Sequence, residues 1–251
     1  MNLSTLVITA SVATLSLNRP ESRNALSIDL LESLHASIDE LAARIAKQRD
    51  VHIVVLTGAG KSFCAGMDLK QVLNVPGAPL KLLSLLSEFT LKLRALPAIT
   101  IAAVNGAAIG GGCGLSTVCD FAITHADSKM GFPEVDLGVC PAVVAPWLVR
   151  KVGAGRARAI LLKGGLMSGR DAHACGIVTE CVETREQLDR AVTALADKLA
   201  TGGPAALAAT KALLNQLDDS LNPVIAREAA ELSATVLATP EAQAMLRAKL
   251  G

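Results

Sequence analysis

Between residues 51 and 137 short apolar runs alternate with glycine-bearing loops and segments of helical period, and this alternation constrains the fold more than any other feature of the chain. VHIVVLT (51–57) reads as a buried strand, since a run this short and this apolar suits a strand covered on both faces. A glycine-bearing loop over 58–68 follows, then a helix over about 80–96, the strand 99–104 and a second glycine-rich turn. Strand, loop and helix recur through 121–124 and the segment around 131–137. The pattern predicts βαβ crossovers and an α/β class.

Upstream, LVITA and VATLSL alternate apolar and polar residues over 6–18, the period of a hairpin or of paired edge strands, and Arg19-Pro20 closes them. Ser27 is placed to cap a helix in which Leu30, Leu31, Leu34, Ile38, Leu41 and Ile45 recur at helical spacing as far as about residue 48. From about Gly202 the chain is rich in Ala and Leu, with helical period, no strand signal and breaks at Pro204 and Pro223. The 251 residues are therefore expected to form a main domain over 1–200 and a helical segment over 201–251, which covers its own core or a neighbouring subunit's.

Composition removes several classes of function. Hydrophobic residues make up 51%, yet the richest apolar run, over 95–109, is broken by Pro97, Asn105 and Gly106, so no membrane span is expected. The start of the chain lacks a basic stretch followed by a long apolar region, which predicts a cytosolic protein. Six cysteines without a C-x-x-C pair, and scattered histidines, argue for reduced core thiols and against a structural metal site. A net charge of +1, with no basic run and few aromatics, leaves no nucleic-acid footprint.

Three motifs look informative and fail on inspection. GAGKS (58–62) resembles the end of a phosphate-binding loop, but the position five before Gly60 is Val55, inside the strand, where backbone cannot wrap a phosphate. GGGCGL (110–115) gives no G-x-G-x-x-G register. LMSGRD (166–171) is not a nucleophile elbow, and Ser168 there reads as a helix cap.

Two glycine-rich turns remain, FCAGMDL (63–69) and NGAAIGGGCGL (105–115), each after a strand. Either can present free backbone N–H groups, the second at a helix N-terminus, and such groups suit a developing oxyanion. A carboxylate follows in GFPEVDLG (131–138), where Glu134 sits among Phe132, Pro133, Val135 and Leu137, neighbours that raise a carboxyl pKa by desolvation. Asp136 competes with it, because an extended segment would put both on one side. Cys113 and Cys140 lie in the same motifs, but no nearby histidine would activate either as a nucleophile.

Taken in order, VATLSLNRPESRNALS, GAGKSFCAGMDL, AAVNGAAIGGGCGLSTVCD, GFPEVDLGVCPA and LMSGRDAHACGIVTECV resemble the segments of the enoyl-CoA hydratase/isomerase, or crotonase, family along nearly the whole chain. The resemblance implies a spiral of ββα units with a helical C-terminal region, assembled as a homotrimer or dimer of trimers. It implies an acyl-CoA substrate and no separate cofactor, coenzyme A being part of the substrate. Carried over by position, it makes the N–H groups of Met67 and Gly111 an oxyanion hole and Glu134 the acid/base. Backbone near Arg23, Ala25, Ala65, Asp68 and Leu69, with Lys61 and Lys70, would lie along the coenzyme A, and Val72, Leu73, Leu82 and Val144 would wall the acyl pocket. The side chains of Asp68 and Asp120 match acidic positions that would be structural. The departure is Gly114, where hydratases of the family carry a second glutamate; Ala142 likewise stands where a dienoyl-CoA isomerase has an aspartate. One retained carboxylate matches the pattern of an enoyl-CoA double-bond isomerase. A hydratase with another second acid, and a non-catalytic acyl-CoA-binding homologue, are the alternatives.

Overall fold

A computed structural model of the chain describes residues 2–69, 73, 75 and 77–250. Its first strands, β1 (Ser4–Thr9) and β2 (Val12–Leu17), pair antiparallel as the alternation predicts, with Ser4 opposite Leu17. Helix α1 (Ile28–Gln48) begins where the Ser27 hydroxyl accepts the Leu30 N–H at 3.2 Å, and all six of its periodic apolar residues are buried.

Three units follow, each of a strand, a shorter strand and a helix. They are β3 (Ile53–Gly58), β4 (Ser62–Cys64) and α2 (Ala78–Ala95); β5 (Ile99–Val104), β6 (Ala107–Ile109) and α3 (Gly111–Val118); and β7 (Phe121–His125), β8 (Lys129–Gly131) and α4 (Ala145–Val152). Helix α5 (Ala154–Lys163), β9 (Leu166–Ser168), α6 (Gly169–Ala174), β10 (Glu180–Val182) and α7 (Arg185–Ala200) complete the main body. The longer strands enter a six-stranded sheet ordered β1-β2-β3-β5-β7-β10, and the short ones a four-stranded sheet ordered β4-β6-β8-β9. Neighbouring strands β3, β5 and β7 run parallel, as do β4, β6 and β8, so the chain winds as a spiral that visits both sheets in each turn.

Alternate residues of β3 and β5 explain why these strands read as unbroken apolar runs. Val54, Leu56, Ala102 and Val104 face the main core, whereas Ile53, Val55, Ile99, Ile101 and Ala103 face a second cluster closed by Leu188, Val192 and Ala196 of α7. Both faces of the sheet are covered.

The C-terminal region forms α8 (Pro204–Leu217), α9 (Pro223–Leu237) and α10 (Pro240–Leu250). The prolines that read as breaks are first residues of helices, where the missing N–H had no partner to lose. This region lies on the chain's own core: the Ser87 hydroxyl donates to the Ala226 carbonyl at 2.7 Å, and Lys211 Nζ donates to the Ala98 carbonyl at 2.8 Å. Among the described residues no helix is long and apolar enough to cross a membrane, and no group of His, Cys, Asp and Glu could hold a metal ion.

Candidate active site

The two glycine turns meet at the start of α3. A Cβ on Gly66 would stand 2.8 Å from the Ile109 carbonyl oxygen, and one on Gly112 only 2.3 Å from that of Cys64. No other residue lets the two backbones approach so closely. Ala65 N donates to the Arg23 carbonyl at 3.0 Å, Leu26 N to that of Gly66 at 2.7 Å, and Asp68 N to that of Leu26 at 2.9 Å. This short parallel pairing joins the Arg23–Ala25 and Ala65–Leu69 segments. Because Leu26 bonds to the residues on either side of Met67, the Met67 N–H points away from that pairing.

Gly111 is the first residue of α3, so its N–H has no acceptor within the helix and carries the partial positive charge of a helix N-terminus. Met67, Gly111 and Glu134 line one cavity of about 30 Å³, whose apolar wall includes Leu82, Leu86, Val139 and Val144.

Glu134 enters this cavity through a turn. The strand expected around 131–137 ends at Gly131, and Glu134, at φ −58° and ψ −43°, caps a 3₁₀ turn over Val135–Leu137. That turn separates the two candidate carboxylates. Glu134 faces inward, whereas Asp136 is exposed and accepts the Gly165 N–H at 2.8 Å. A Cβ on Gly110 would come within 3.0 Å of Glu134 Oε1, so only bare backbone at φ +54° lets the carboxylate lie against the start of α3. Its Oε2 is buried and has no hydrogen-bond partner among the described residues. Burial, only partly offset by a hydrogen bond from Glu134's own backbone, pushes the carboxyl up to about 7, suited to taking and returning a proton near neutral pH.

The other expected residues separate into near and far. Asp68 pairs with Arg19 at 3.4 Å and Arg23 is exposed, both beside the Leu26–Met67 pairing. Lys61 is exposed in a different recess, with Gly106, His125, Lys129 and Arg185, and shares no wall with the Glu134 cavity. Lys61 thus stands apart from the acid/base cavity. Lys70 and Val72 lie outside the described residues, and Leu73 packs on the core without lining the cavity. Burial pushes the Cys113 and Cys140 thiols up, away from the thiolate a nucleophile needs.

One role of Val144, expected only as a wall of the acyl pocket, and the whole contribution of Ser233 were invisible in sequence. A Cβ on Gly114 would fall 2.2 Å from Val144 Cγ1, so Val144 already occupies the space that any side chain at 114 would enter. From α9, Ser233 lines the cavity and clamps the loop after Glu134, donating to the Cys140 carbonyl at 2.7 Å and accepting the Ala142 N–H at 3.2 Å.

A family model for enoyl-CoA hydratase/isomerase matches residues 7–245. The chain belongs to that family. It is 39% identical over 207 residues, 81% of this chain and 80% of the other, to a Thermus thermophilus relative provisionally named an enoyl-CoA hydratase. A short-chain-enoyl-CoA hydratase of Clostridium acetobutylicum is 33% identical over 210 residues, 82% of this chain and 78% of that one. The crystal structure of an enoyl-CoA hydratase from Bacillus halodurans superposes with a TM-score of 0.88 at 24% identity, covering 98% of this chain and 99% of the other, which establishes the crotonase spiral with its C-terminal helical bundle.

Proposed function

We propose that this crotonase-family protein is an enzyme acting on acyl-CoA thioesters, and that its reaction is the shift of a carbon–carbon double bond along the acyl chain. Glu134 takes a proton from the carbon next to the thioester, and the electron pair moves into a dienolate. The N–H groups of Met67 and Gly111 hold its oxygen. The same carboxyl returns the proton two carbons farther on, and the double bond ends conjugated to the thioester. Losing one such N–H donor costs about two to three powers of ten in rate.

The observation that carries this reading is Val144 packed against Gly114. With apolar side-chain atoms where a second acid would stand, the cavity offers one carboxylate, and a single carboxylate is sufficient to move a proton between two carbons of one substrate. Backbone of the paired segments at Arg23, Ala25, Ala65, Asp68 and Leu69 would follow the coenzyme A. Leu213, Leu214 and Leu217 of α8, each more than half exposed, support assembly through the C-terminal helices as a trimer or dimer of trimers.

Hydration of the double bond is the second reading, favoured by the names of the hydratases this chain resembles. One experiment separates them. Purified protein is mixed with a 3-enoyl-CoA or a 2-enoyl-CoA while absorbance of the conjugated thioester is followed, with Glu134→Gln as control. Isomerisation raises absorbance with the first substrate, and the variant loses about two to four powers of ten of that rate. Loss of absorbance with the second, yielding a 3-hydroxyacyl-CoA, overturns isomerisation in favour of hydration.

A further inference from the structure

A cavity of about 370 Å³ lies between α8 and the C-terminal end of α3. It shares no lining residue with the Glu134 cavity: α3 begins in that one at Gly111 and reaches this one at Thr117. Its size falls in the range of about 300–1,000 Å³ that small-molecule sites occupy. Ile99, Phe121, Trp147, Leu199 and Leu207 give it an apolar wall.

The charges around it do not balance. Arg94, Arg150, Lys151 and Lys211 stand against two carboxylates, Asp120 and Asp218, among the described lining residues. Several of the cations' hydrogen bonds go to neutral acceptors: Lys151 Nζ donates to the Cys119 and Asp120 carbonyls at 3.0 and 3.1 Å, Lys211 Nζ to that of Ala98 at 2.8 Å, and Arg150 to those of Asp218 and Asp219 at 3.0 and 2.8 Å. A carbonyl satisfies a donor without cancelling its charge. The C-terminal ends of α3 and α4 each offset about half a charge, which still leaves the cavity positive.

Arg94 adds a second asymmetry. Its side chain is 15% exposed, its Nη atoms reach Asp120 and Asp218 at 3.2 Å, and its Nε is buried with no hydrogen-bond partner among the described residues. A buried donor of this kind costs stability until an acceptor reaches it. Burial also holds the Lys151 and Lys211 ammonium groups below their ordinary pKa, opposed by Asp120 and reinforced by Arg94.

We propose that this cavity is a binding site, distinct from the Glu134 cavity, for a small organic anion: its carboxylate meets the excess positive charge at Arg94, and its apolar body lies on the wall formed by Phe121, Trp147 and Leu207. A compact inorganic ion would leave that wall uncovered, and an uncharged ligand would leave the cations unmatched. The site takes no part in the proton transfer proposed above and does not depend on it.

Hexanoate is the probe, titrated calorimetrically into the protein in its native assembly, with hexan-1-ol and inorganic phosphate as controls for body and charge. Hexanoate is expected to bind at least about tenfold more tightly than either control, and to weaken as salt is raised from about 0.01 to 0.15 M. Arg94→Gln would also break the pairs with Asp120 and Asp218, so the site is altered instead at Thr210, exposed on α8 at the cavity wall. Thr210→Glu should weaken hexanoate about tenfold by placing a carboxylate there, and Thr210→Lys should strengthen it. No binding of hexanoate, binding matched by hexan-1-ol or by phosphate, or binding that Thr210→Glu leaves unchanged would overturn the proposal. In the last case the anion sits elsewhere on the protein.

Discussion

Two carboxylates at the heart of the molecule are treated in opposite ways. Asp120, just after α3, accepts the Thr100 N–H at 2.8 Å and the Thr100 hydroxyl at 2.9 Å, and pairs with Lys211 at 2.9 Å and Arg94 at 3.2 Å. Glu134, near the other end of the same helix, has one oxygen buried with no donor among the described residues. A saturated carboxylate joins elements together: Asp120 ties α2, β5 and α8 at one point. An unsaturated one costs stability and keeps its lone pairs for something else. The proton transfer we propose uses the unsaturated one.

Exchanging each carboxylate for a neutral group breaks the comparison open. Asp120→Ala is expected to cost about 3–5 kcal/mol, because it strands the buried ammonium of Lys211 and one arm of Arg94. Urea denaturation would show this as a lower midpoint at unchanged slope. A loss under about 1 kcal/mol would mean that Asp120 does not hold the C-terminal helices.

Glu134→Gln should act in the reverse direction, and only above a certain pH. Burial raises the folded-state carboxyl from 4.5 to about 7, so between those values the native state holds a proton that the unfolded chain has lost. Stability therefore falls as pH rises through this window, and above about pH 7 the ionised carboxylate costs about 3 kcal/mol. The variant removes that cost. It should be more stable than the unmodified protein at pH 8 by up to about that amount, with the advantage fading towards pH 4.5. Thermal melts at both pH values decide it: an equal difference at each would show that Glu134 is not held protonated by burial. In the unmodified enzyme kcat/KM should rise through about pH 7 and then level, as the base form accumulates.

Much of this contrast could be read before any coordinates. The buried strands announced themselves as apolar runs, α1 by its spacing and Ser27 cap, and Glu134 by apolar neighbours that do desolvate it. What escaped the sequence was side-chain placement that neither period nor composition governs. Asp136 was a rival only while the segment was taken as extended, and three residues of 3₁₀ turn put it on the other side. Lys61 is a solvated side chain on a turn, with no pattern to say which recess it borders. Ser233 reaches the site from 99 residues beyond Glu134, through packing that leaves no local signal, and Val144, expected in the acyl wall, also fills the space beside Gly114.

The smallest effect concerns the Val144 wall of the Glu134 cavity. If Val144 fills space vacated by the bare Gly114, the two positions are coupled and their substitutions are not additive. Gly114→Ala alone forces a methyl to within 2.2 Å of Val144 Cγ1 and should cost about 1–3 kcal/mol by overpacking. Val144→Ala alone leaves a void and should cost about 1–2 kcal/mol. Together they trade one methyl for two, and the double variant should be more stable than the sum of the singles by about 1–2 kcal/mol. Additive losses would mean that α3 moves to make room by itself. In that event a side chain at 114 is sterically allowed, and the absence of a second acid there reflects the choice of residue at 114 and not the packing of Val144.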